Sequence, residues 1–176
     1  MHKALGEGGI IAEDLGYLTP EVKAMLAASG YPGMKIMQFA FDSREPGNYL
    51  PYTYPRNSVV YTGTHDNDTA LGWLASITPE DAAYARAYLR LNDPDGANWG
   101  MMRAAWASTA DTAVVQVQDL LGLGSEGRMN TPSTVGGNWR WRAAPGFDSA
   151  ELAAKLRRET ALYERLSAPA KASYPG

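Results

Sequence analysis

The chain has 176 residues, 45% of them hydrophobic, and a net charge of −3 at pH 7, which describes a globular domain without the basic excess that nucleic acid or an anionic membrane attracts. It contains no cysteine, so disulfides, thiolate catalysis and cysteine-bound zinc are excluded. Because no apolar run reaches the roughly 18 residues of a membrane span and the amino-terminal residues lack the apolar stretch of a secretory signal, we expect a soluble cytoplasmic protein.

The chain alternates between short apolar strands and helices. The strand candidates, which are rich in apolar and β-favouring residues, are 9–12, 34–39, 58–62 and 113–117. The helix candidates are Thr19 to Gly30, Asp81 to Leu91, Asn98 to Ala110 and Glu151 to Leu166. Thr19-Pro20-Glu21 and Thr78-Pro79-Glu80 are the start signals of the first two. Two segments rich in proline, glycine and polar residues, 42–57 and 122–147, are predicted to be long loops with a functional role.

This alternation predicts an α/β fold, with a parallel sheet covered by helices. Polar residues follow the strand candidates at Glu13-Asp14, Asp42, His65-Asp66 and Gln118-Asp119. Ligands bind at the carboxyl ends of parallel strands, so these residues are candidates for one site. Four strands are half of the eight that a closed barrel of about 250 residues needs, so we interpret residues 1–176 as a single segment, half of a (β/α)8 TIM barrel. Half a barrel exposes sheet edges, and we expect self-association through them.

Glu13 lies at the end of the first strand candidate, next to Asp14. One interpretation is a general acid whose pKa is raised by nearby carboxylates and partial burial. The alternative is a carboxylate that caps the following turn. Since neighbouring side chains in a strand point to opposite faces, Asp14 should point away from Glu13.

The polar run from His65 to Asp68 directly follows the strand candidate 58–62. Metal ligation by His65, Asp66 and Asp68 is disfavoured, because the only other histidine is His2 and no His-x-x-x-His spacing occurs. Asp and Asn favour turns, and their carboxylates and amides also bind sugar hydroxyls. The spacing leaves turn formation and sugar binding open.

Aromatic residues are concentrated in the two predicted loops, as Tyr49, Tyr52 and Tyr54 and as Trp139 and Trp141. Exposed Trp and Tyr rings are flat apolar platforms that suit pyranose rings, especially beside arginine and asparagine side chains. The alternative is that the two tryptophans pack against the rim of the barrel. Single-stranded nucleic acid also stacks on aromatic rings, but it requires a positive groove that this charge balance does not predict.

Six motifs occur in this order: IAEDLG at 11–16, YPGMK at 31–35, QFAFD at 38–42, GTHDNDT at 63–69, GSE with RMN at 124–130, and GNWRWR at 137–142. Taken together, they resemble the amylomaltase family of 4-α-glucanotransferases, which is glycoside hydrolase family 77 of the α-amylase clan. The resemblance extends from about residue 8 to residue 166. It implies that the chain is the carboxyl-terminal half of a (β/α)8 barrel, about strands five to eight with their helices.

The resemblance also implies roles for individual residues. Glu13 matches the family's general acid/base, and Asp66 matches its transition-state stabiliser. Four residues are expected to contact substrate: His65, Asp42, Asn138 and Trp139. The family's nucleophile is an aspartate in an Arg-x-Asp-His motif that does not occur here, and we expect it upstream of this chain.

The implied reaction is retaining transfer of α-1,4-glucan segments between maltooligosaccharides or starch- and glycogen-derived glucans, without a metal or organic cofactor. Without the nucleophile, we expect the chain to be inactive alone. Two alternatives remain open, a non-catalytic α-glucan-binding fragment and an α-glucan hydrolase of the same clan.

Overall fold

A computed structural model describes residues 9–16, 18–44, 49–91 and 94–167, and in these ranges the chain has an α/β fold. The strands are β1 (Gly33–Ile36), β2 (Ser58–Tyr61) and β3 (Thr112–Val114). The α-helices are α1 (Pro20–Ser29), α2 (Ala70–Ser76), α3 (Pro79–Leu89), α4 (Ala97–Ala107), α5 (Val117–Leu120) and α6 (Ala150–Leu162). Short 3-10 helices lie at Met37–Phe41, Pro51–Thr53 and Ser125–Gly127.

The three strands form a parallel sheet in the order β1-β2-β3. Val59 of the central strand is level with Met34 on one side and with Thr112 on the other. Ser58, Val59 and Val60 are buried, as expected for a parallel strand that is covered on both faces. Because both pairings are parallel, β1 and β2 end at the same edge of the sheet. This confirms the predicted parallel sheet.

The prediction of a strand at 9–12 is wrong. In the described ranges, Ala12 alone joins the sheet from this segment, through an isolated parallel bridge to Gly33, and its N–H donates to the carbonyl of Pro32 over 2.9 Å. Ile11 is 45% exposed, so this segment lacks the burial on both faces that stabilises a parallel strand.

The other three strand candidates form strands, but these end early. After β1, residues 37–41 tighten into a 3-10 helix, from which the Gln38 side chain donates to the carbonyl of Asp68 over 2.8 Å. After β3, the chain enters α5 at Val117. Both boundaries lie within apolar runs, in which hydrophobicity alone does not distinguish a strand from a buried helical turn.

Two predicted helix starts are confirmed by their caps. The hydroxyl of Thr19 accepts from Val22 N at the start of α1, and that of Thr78 accepts from Asp81 N at the start of α3. Gly30 ends α1 with φ 69°, a left-handed conformation that glycine adopts at low cost. Helix α2 was not predicted, because its seven residues are too few to show a helical period and include Gly72.

The main hydrophobic core lies between the sheet and helices α2, α3 and α4. It includes Met37, Phe41, Val60, Trp73 and Met101, all of them buried. A smaller cluster of Trp99, Met102 and Trp106 packs against Leu152, Leu156 and Tyr163, which joins α6 to α4. Burying a side chain of this size stabilises the fold by about 1.5–3 kcal/mol. No helix in the described ranges is long and apolar enough to cross a membrane.

Two expectations stay predictions: that the chain is the carboxyl-terminal half of a TIM barrel, and that it self-associates through exposed sheet edges.

Candidate active site

The turn after β2 presents His65 and Asp66 to solvent. The side-chain oxygen of Asn67 accepts hydrogen bonds from both the N–H and the hydroxyl of Thr64, each over 2.9 Å. The Thr64 carbonyl in turn accepts from Asn67 N over 3.1 Å. Turn chemistry therefore explains Thr64 and Asn67, whereas the side chains of His65 and Asp66 remain 58% and 50% exposed at the tip.

Asp66 is held by the loop at 122–147. Its Oδ1 accepts a 2.6 Å hydrogen bond from Asn130 Nδ2 and lies 3.4 Å from His65 Nε2. Its backbone carbonyl accepts from the guanidinium of Arg128 over 2.8 Å, and that guanidinium also donates to the carbonyl of Asn130. The loop that was predicted to be functional thus fixes both the backbone and the carboxylate of Asp66.

Trp139 lies over His65, with 5.1 Å between the ring centroids and 43° between the ring planes. Trp139 is 54% exposed, so about half of its surface is open to solvent. Its backbone has φ 63°, a left-handed conformation that costs a residue other than glycine about 1–3 kcal/mol. The N–H of Trp139 donates to Met129 O over 2.8 Å, which fixes the backbone from which the ring projects.

Asn138 organises the loop from within. Its Oδ1 accepts from Thr131 N over 3.0 Å, and its Nδ2 donates to the Thr134 hydroxyl over 3.1 Å. These bonds close the segment 131–138 immediately before Trp139. The predicted contact between Asn138 and substrate stays a prediction.

Asp68 joins the turn to its neighbours. Its Oδ2 accepts from the Ser125 hydroxyl over 2.6 Å, and its Oδ1 accepts from Thr69 N over 2.8 Å. A Cβ at Gly72 would lie 2.5 Å from both Asp68 Oδ1 and Ser125 Oγ, so only glycine allows this approach. Asp68 thus points to Ser125 whereas Asp66 points to Asn130. Among the residues that the structure describes, no three His, Cys, Asp or Glu side chains are placed to hold a metal ion.

Glu13 and Asp14 occupy opposite environments. Asp14 is buried, accepts from Met34 N over 2.6 Å and pairs with Lys35 Nζ at 3.2 Å. Glu13 is exposed, and its carboxylate makes no hydrogen bond or ion pair within the described part of the chain. Ala12, the residue before Glu13, is level with Gly33 at the start of β1. The opening of Glu13 and Asp66 into one cleft stays a prediction.

Asp42 forms an ion pair with Arg44 in the loop after β1. Arg44 Nε and Nη2 donate to the two carboxylate oxygens over 2.7 and 2.6 Å, and Arg44 N donates over 3.0 Å. These hydrogen bonds, the side-chain ones foremost, hold the pKa of Asp42 at about 2. The contact between Asp42 and substrate stays a prediction.

Arg44→Gln is expected to raise the pKa of Asp42 towards its ordinary value of about 3.9, but only part of the way, because the backbone bond remains. The carboxyl ¹³C shift of Asp42, followed by NMR between pH 1 and 6, measures this change. Arg158→Gln, at an exposed arginine of α6, is the matched control and should leave that pKa at about 2. An unchanged pKa in Arg44→Gln would contradict this assignment.

Residues 1–148, which include all six motifs, match the family model described as 4-alpha-glucanotransferase. The chain belongs to the 4-alpha-glucanotransferase family. It is 47% identical over 162 residues to the 4-alpha-glucanotransferase of Clostridium butyricum, covering 92% of this chain and 33% of that relative. It is 45% identical over 173 residues to that of Thermus thermophilus, covering 94% of this chain and 35% of the relative.

A solved structure of the family has the same fold. The amylomaltase from Streptococcus agalactiae in complex with acarbose superposes with a TM-score of 0.86 and 39% identity, covering 94% of this chain and 34% of that one. The chain therefore spans about a third of the length of these 4-alpha-glucanotransferases.

The sequence did not reveal the residues that hold Asp66. Asn130 and Arg128 lie in a motif that supported the family resemblance, but their role depends on a contact across more than 60 positions in sequence. The available signal for these residues was the motif at 124–130, which is one of the six that resemble the 4-alpha-glucanotransferase family.

Proposed function

We propose that this chain provides the general acid/base Glu13 and the transition-state stabiliser Asp66 of a 4-α-glucanotransferase. The observation that carries the proposal is the exposed carboxylate of Asp66, held by Asn130 next to the contacting rings of His65 and Trp139. The names of the relatives and the acarbose complex of the Streptococcus protein support an α-glucan as the ligand. The nucleophilic carboxylate would come from outside these 176 residues, which contain no Arg-x-Asp-His motif.

The proposed reaction is retaining double displacement. Glu13 gives its proton to the glycosidic oxygen, the bond between that oxygen and the anomeric carbon breaks, and the nucleophile forms a covalent bond to that carbon. The Glu13 carboxylate then takes the proton from the 4-hydroxyl of an acceptor glucan, whose oxygen displaces the nucleophile. An acceptor glucan that displaces water from this site would favour transfer over hydrolysis.

Asp66 would act through sugar hydroxyls. Its Oδ1 already accepts from Asn130, whereas its Oδ2 accepts no hydrogen bond from the described residues and is available to a sugar hydroxyl. This bond would strengthen as positive charge develops on the sugar ring, which is preferential binding of the transition state. His65 would bind a neighbouring hydroxyl, and the exposed face of Trp139 would pack against a pyranose ring.

A second candidate function is glucan binding without turnover by this chain alone. The exposed Trp139 ring favours it, because an aromatic platform binds a sugar without a nucleophile.

We expect the 176-residue chain to bind acarbose in calorimetry and to release no products from maltotriose, because retaining chemistry requires a second carboxylate about 5–5.5 Å from the acid/base. Glucose together with longer maltodextrins, lost in Glu13→Gln, would contradict the missing nucleophile. Glucose and maltose without longer products would favour the hydrolase.

Trp139→Leu is expected to weaken acarbose binding roughly fivefold, which corresponds to a stacking contact of about 1 kcal/mol. Calorimetric titration of the 176-residue chain measures the dissociation constant. Tyr88→Leu is the matched control, since Tyr88 is also an exposed aromatic residue but lies in α3. Equal losses in both variants would indicate unspecific aromatic binding rather than a site at Trp139.

A further inference from the structure

One buried carboxylate joins the two ends of the turn that carries His65 and Asp66. Asp119 Oδ2 accepts from the hydroxyl of Thr62, the residue after β2, over 2.6 Å. Asp119 Oδ1 accepts from the N–H of Ala70, the first residue of α2, over 2.7 Å. The seven residues between Thr62 and Ala70 therefore begin and end on the same side chain. We propose that Asp119 is a positioning residue that fixes this turn and so orients His65 and Asp66.

Asp119 is itself held rigidly. Its side chain is 1% exposed, and its backbone carbonyl accepts from the buried Asn98 Nδ2 of α4 over 2.7 Å. Burial also raises the pKa of Asp119. A carboxylate without solvent must keep its donors, because an unpaired buried acceptor is costly. The distance between Thr62 and Ala70 is thus set by the interior of the protein rather than by the turn.

Gln118, the residue before Asp119, holds the loop segment that contacts the turn. Gln118 is buried, and its side-chain Nε2 donates to Gly127 O over 3.1 Å. Its backbone carbonyl accepts from Leu123 N over 3.0 Å. These bonds fix the 3-10 helix Ser125–Gly127, whose Ser125 hydroxyl donates to Asp68. Two consecutive residues thus anchor the turn and the loop that contacts it.

Asp119 acts on the site through the backbone. At 1% exposure its carboxylate has no access to a ligand, so it positions the turn without touching substrate. The benefit of this placement for catalysis rests on the proposed function, whereas the placement itself is a property of the folded chain. A measurement without glucan therefore tests Asp119 independently of the reaction.

The ring protons of His65 report the position of the turn in NMR spectra. The chain has two histidines, His2 and His65, so His2→Gln assigns the signals. The ring current of Trp139, 5.1 Å away, shifts the His65 signals, and Trp139→Leu gives their value without that shift. Most of the Trp139-dependent shift should be lost in Asp119→Ala.

The conservative replacement Asp119→Asn should keep the shift, because its amide can accept from Ala70 N and donate to the Thr62 hydroxyl. Thr62→Val removes one of the two bonds and should lose part of the shift, which keeps the test decisive if Asp119→Ala does not fold. Asp81→Ala is the matched control: Asp81 is also buried and accepts from Ser43 N over 2.7 Å, but it lies in the first turn of α3 and makes no bond to the turn between Thr62 and Ala70 within the described residues. It should destabilise the protein without moving the His65 signals.

Loss of the shift in Asp119→Ala or Thr62→Val, with its retention in Asp119→Asn and Asp81→Ala, supports the positioning role even if the protein transfers no glucan. An unchanged His65 shift in folded Asp119→Ala, or in Thr62→Val, would overturn it.

Discussion

Replacing Glu13 with glutamine is expected to slow glucan transfer by about 10²–10⁴-fold, because the amide can neither protonate the leaving oxygen nor deprotonate the acceptor hydroxyl. The measurement requires a hybrid protein, in which this chain replaces the aligned third of the Thermus thermophilus relative, with which it shares 45% identity over 173 residues. The rate of glucose release from maltotriose, with longer maltodextrins as co-products, reports the transfer.

Glu21→Gln is the control for the hybrid, since Glu21 is an exposed carboxylate in the first turn of α1, eight positions after Glu13. It should transfer glucan at the rate of the unsubstituted hybrid. A Glu13→Gln hybrid that retains that rate would remove Glu13 from the mechanism, whatever the role of Asp66.

Asp119→Ala is expected to lower the free energy of unfolding by about 2–5 kcal/mol, because it leaves two buried donors, on Thr62 and Ala70, without their acceptor. Urea denaturation of the 176-residue chain measures this loss. Asp119→Asn can keep both hydrogen bonds and should cost about 1 kcal/mol or less. Equal stability of the alanine variant and the wild type would show that the two bonds contribute nothing to the fold.

The free energy of unfolding should depend on pH in a way that reflects the Asp119 carboxylate. Burial raises the pKa of Asp119, and the charge of Asp68 adds to this effect, although hydrogen bonds from Ala70 and Thr62 oppose it. A raised pKa in the folded state means that its contribution is fully present below the ordinary value of about 3.9 and is lost as pH rises through the folded-state pKa. The unfolding free energy of the wild type, minus that of Asp119→Asn, should therefore fall across this window. A difference that rises with pH would contradict the assignment.

The α/β fold class was predictable because apolar residues recur with different periods in strands and helices, and because capping residues mark the helix ends. Thr19, Thr78 and Gly30 gave correct helix boundaries, since caps depend on neighbouring residues in sequence. Residues 9–12 have the composition of a strand but pair only at Ala12, because strand formation depends on what lies on both faces. Composition does not contain that information.

The candidate site was predictable to the level of its motifs. His65, Asp66 and Trp139 were identified from their residue types and their order in the chain, and the structure brings these three together. The contacts of Asn130 and Asp119 were not predictable, because they join positions 64 and 57 residues apart and leave no local pattern. Gln118-Asp119 was recognised as a polar pair near the end of a strand, but its burial, which determines its role, is a property of the tertiary fold.

The role of Glu13 as acid/base is tested most directly by azide rescue of the Glu13→Gln hybrid with α-maltosyl fluoride. Fluoride leaves without a proton, so the nucleophile can still form the glycosyl-enzyme, which then lacks a base to activate an acceptor. Azide needs no base: its nitrogen bonds to the anomeric carbon while the nucleophile's carboxylate leaves. We predict that azide accelerates turnover and yields α-maltosyl azide, with retained configuration. No acceleration, or a β-maltosyl azide formed by direct displacement of fluoride, would contradict the assignment of Glu13.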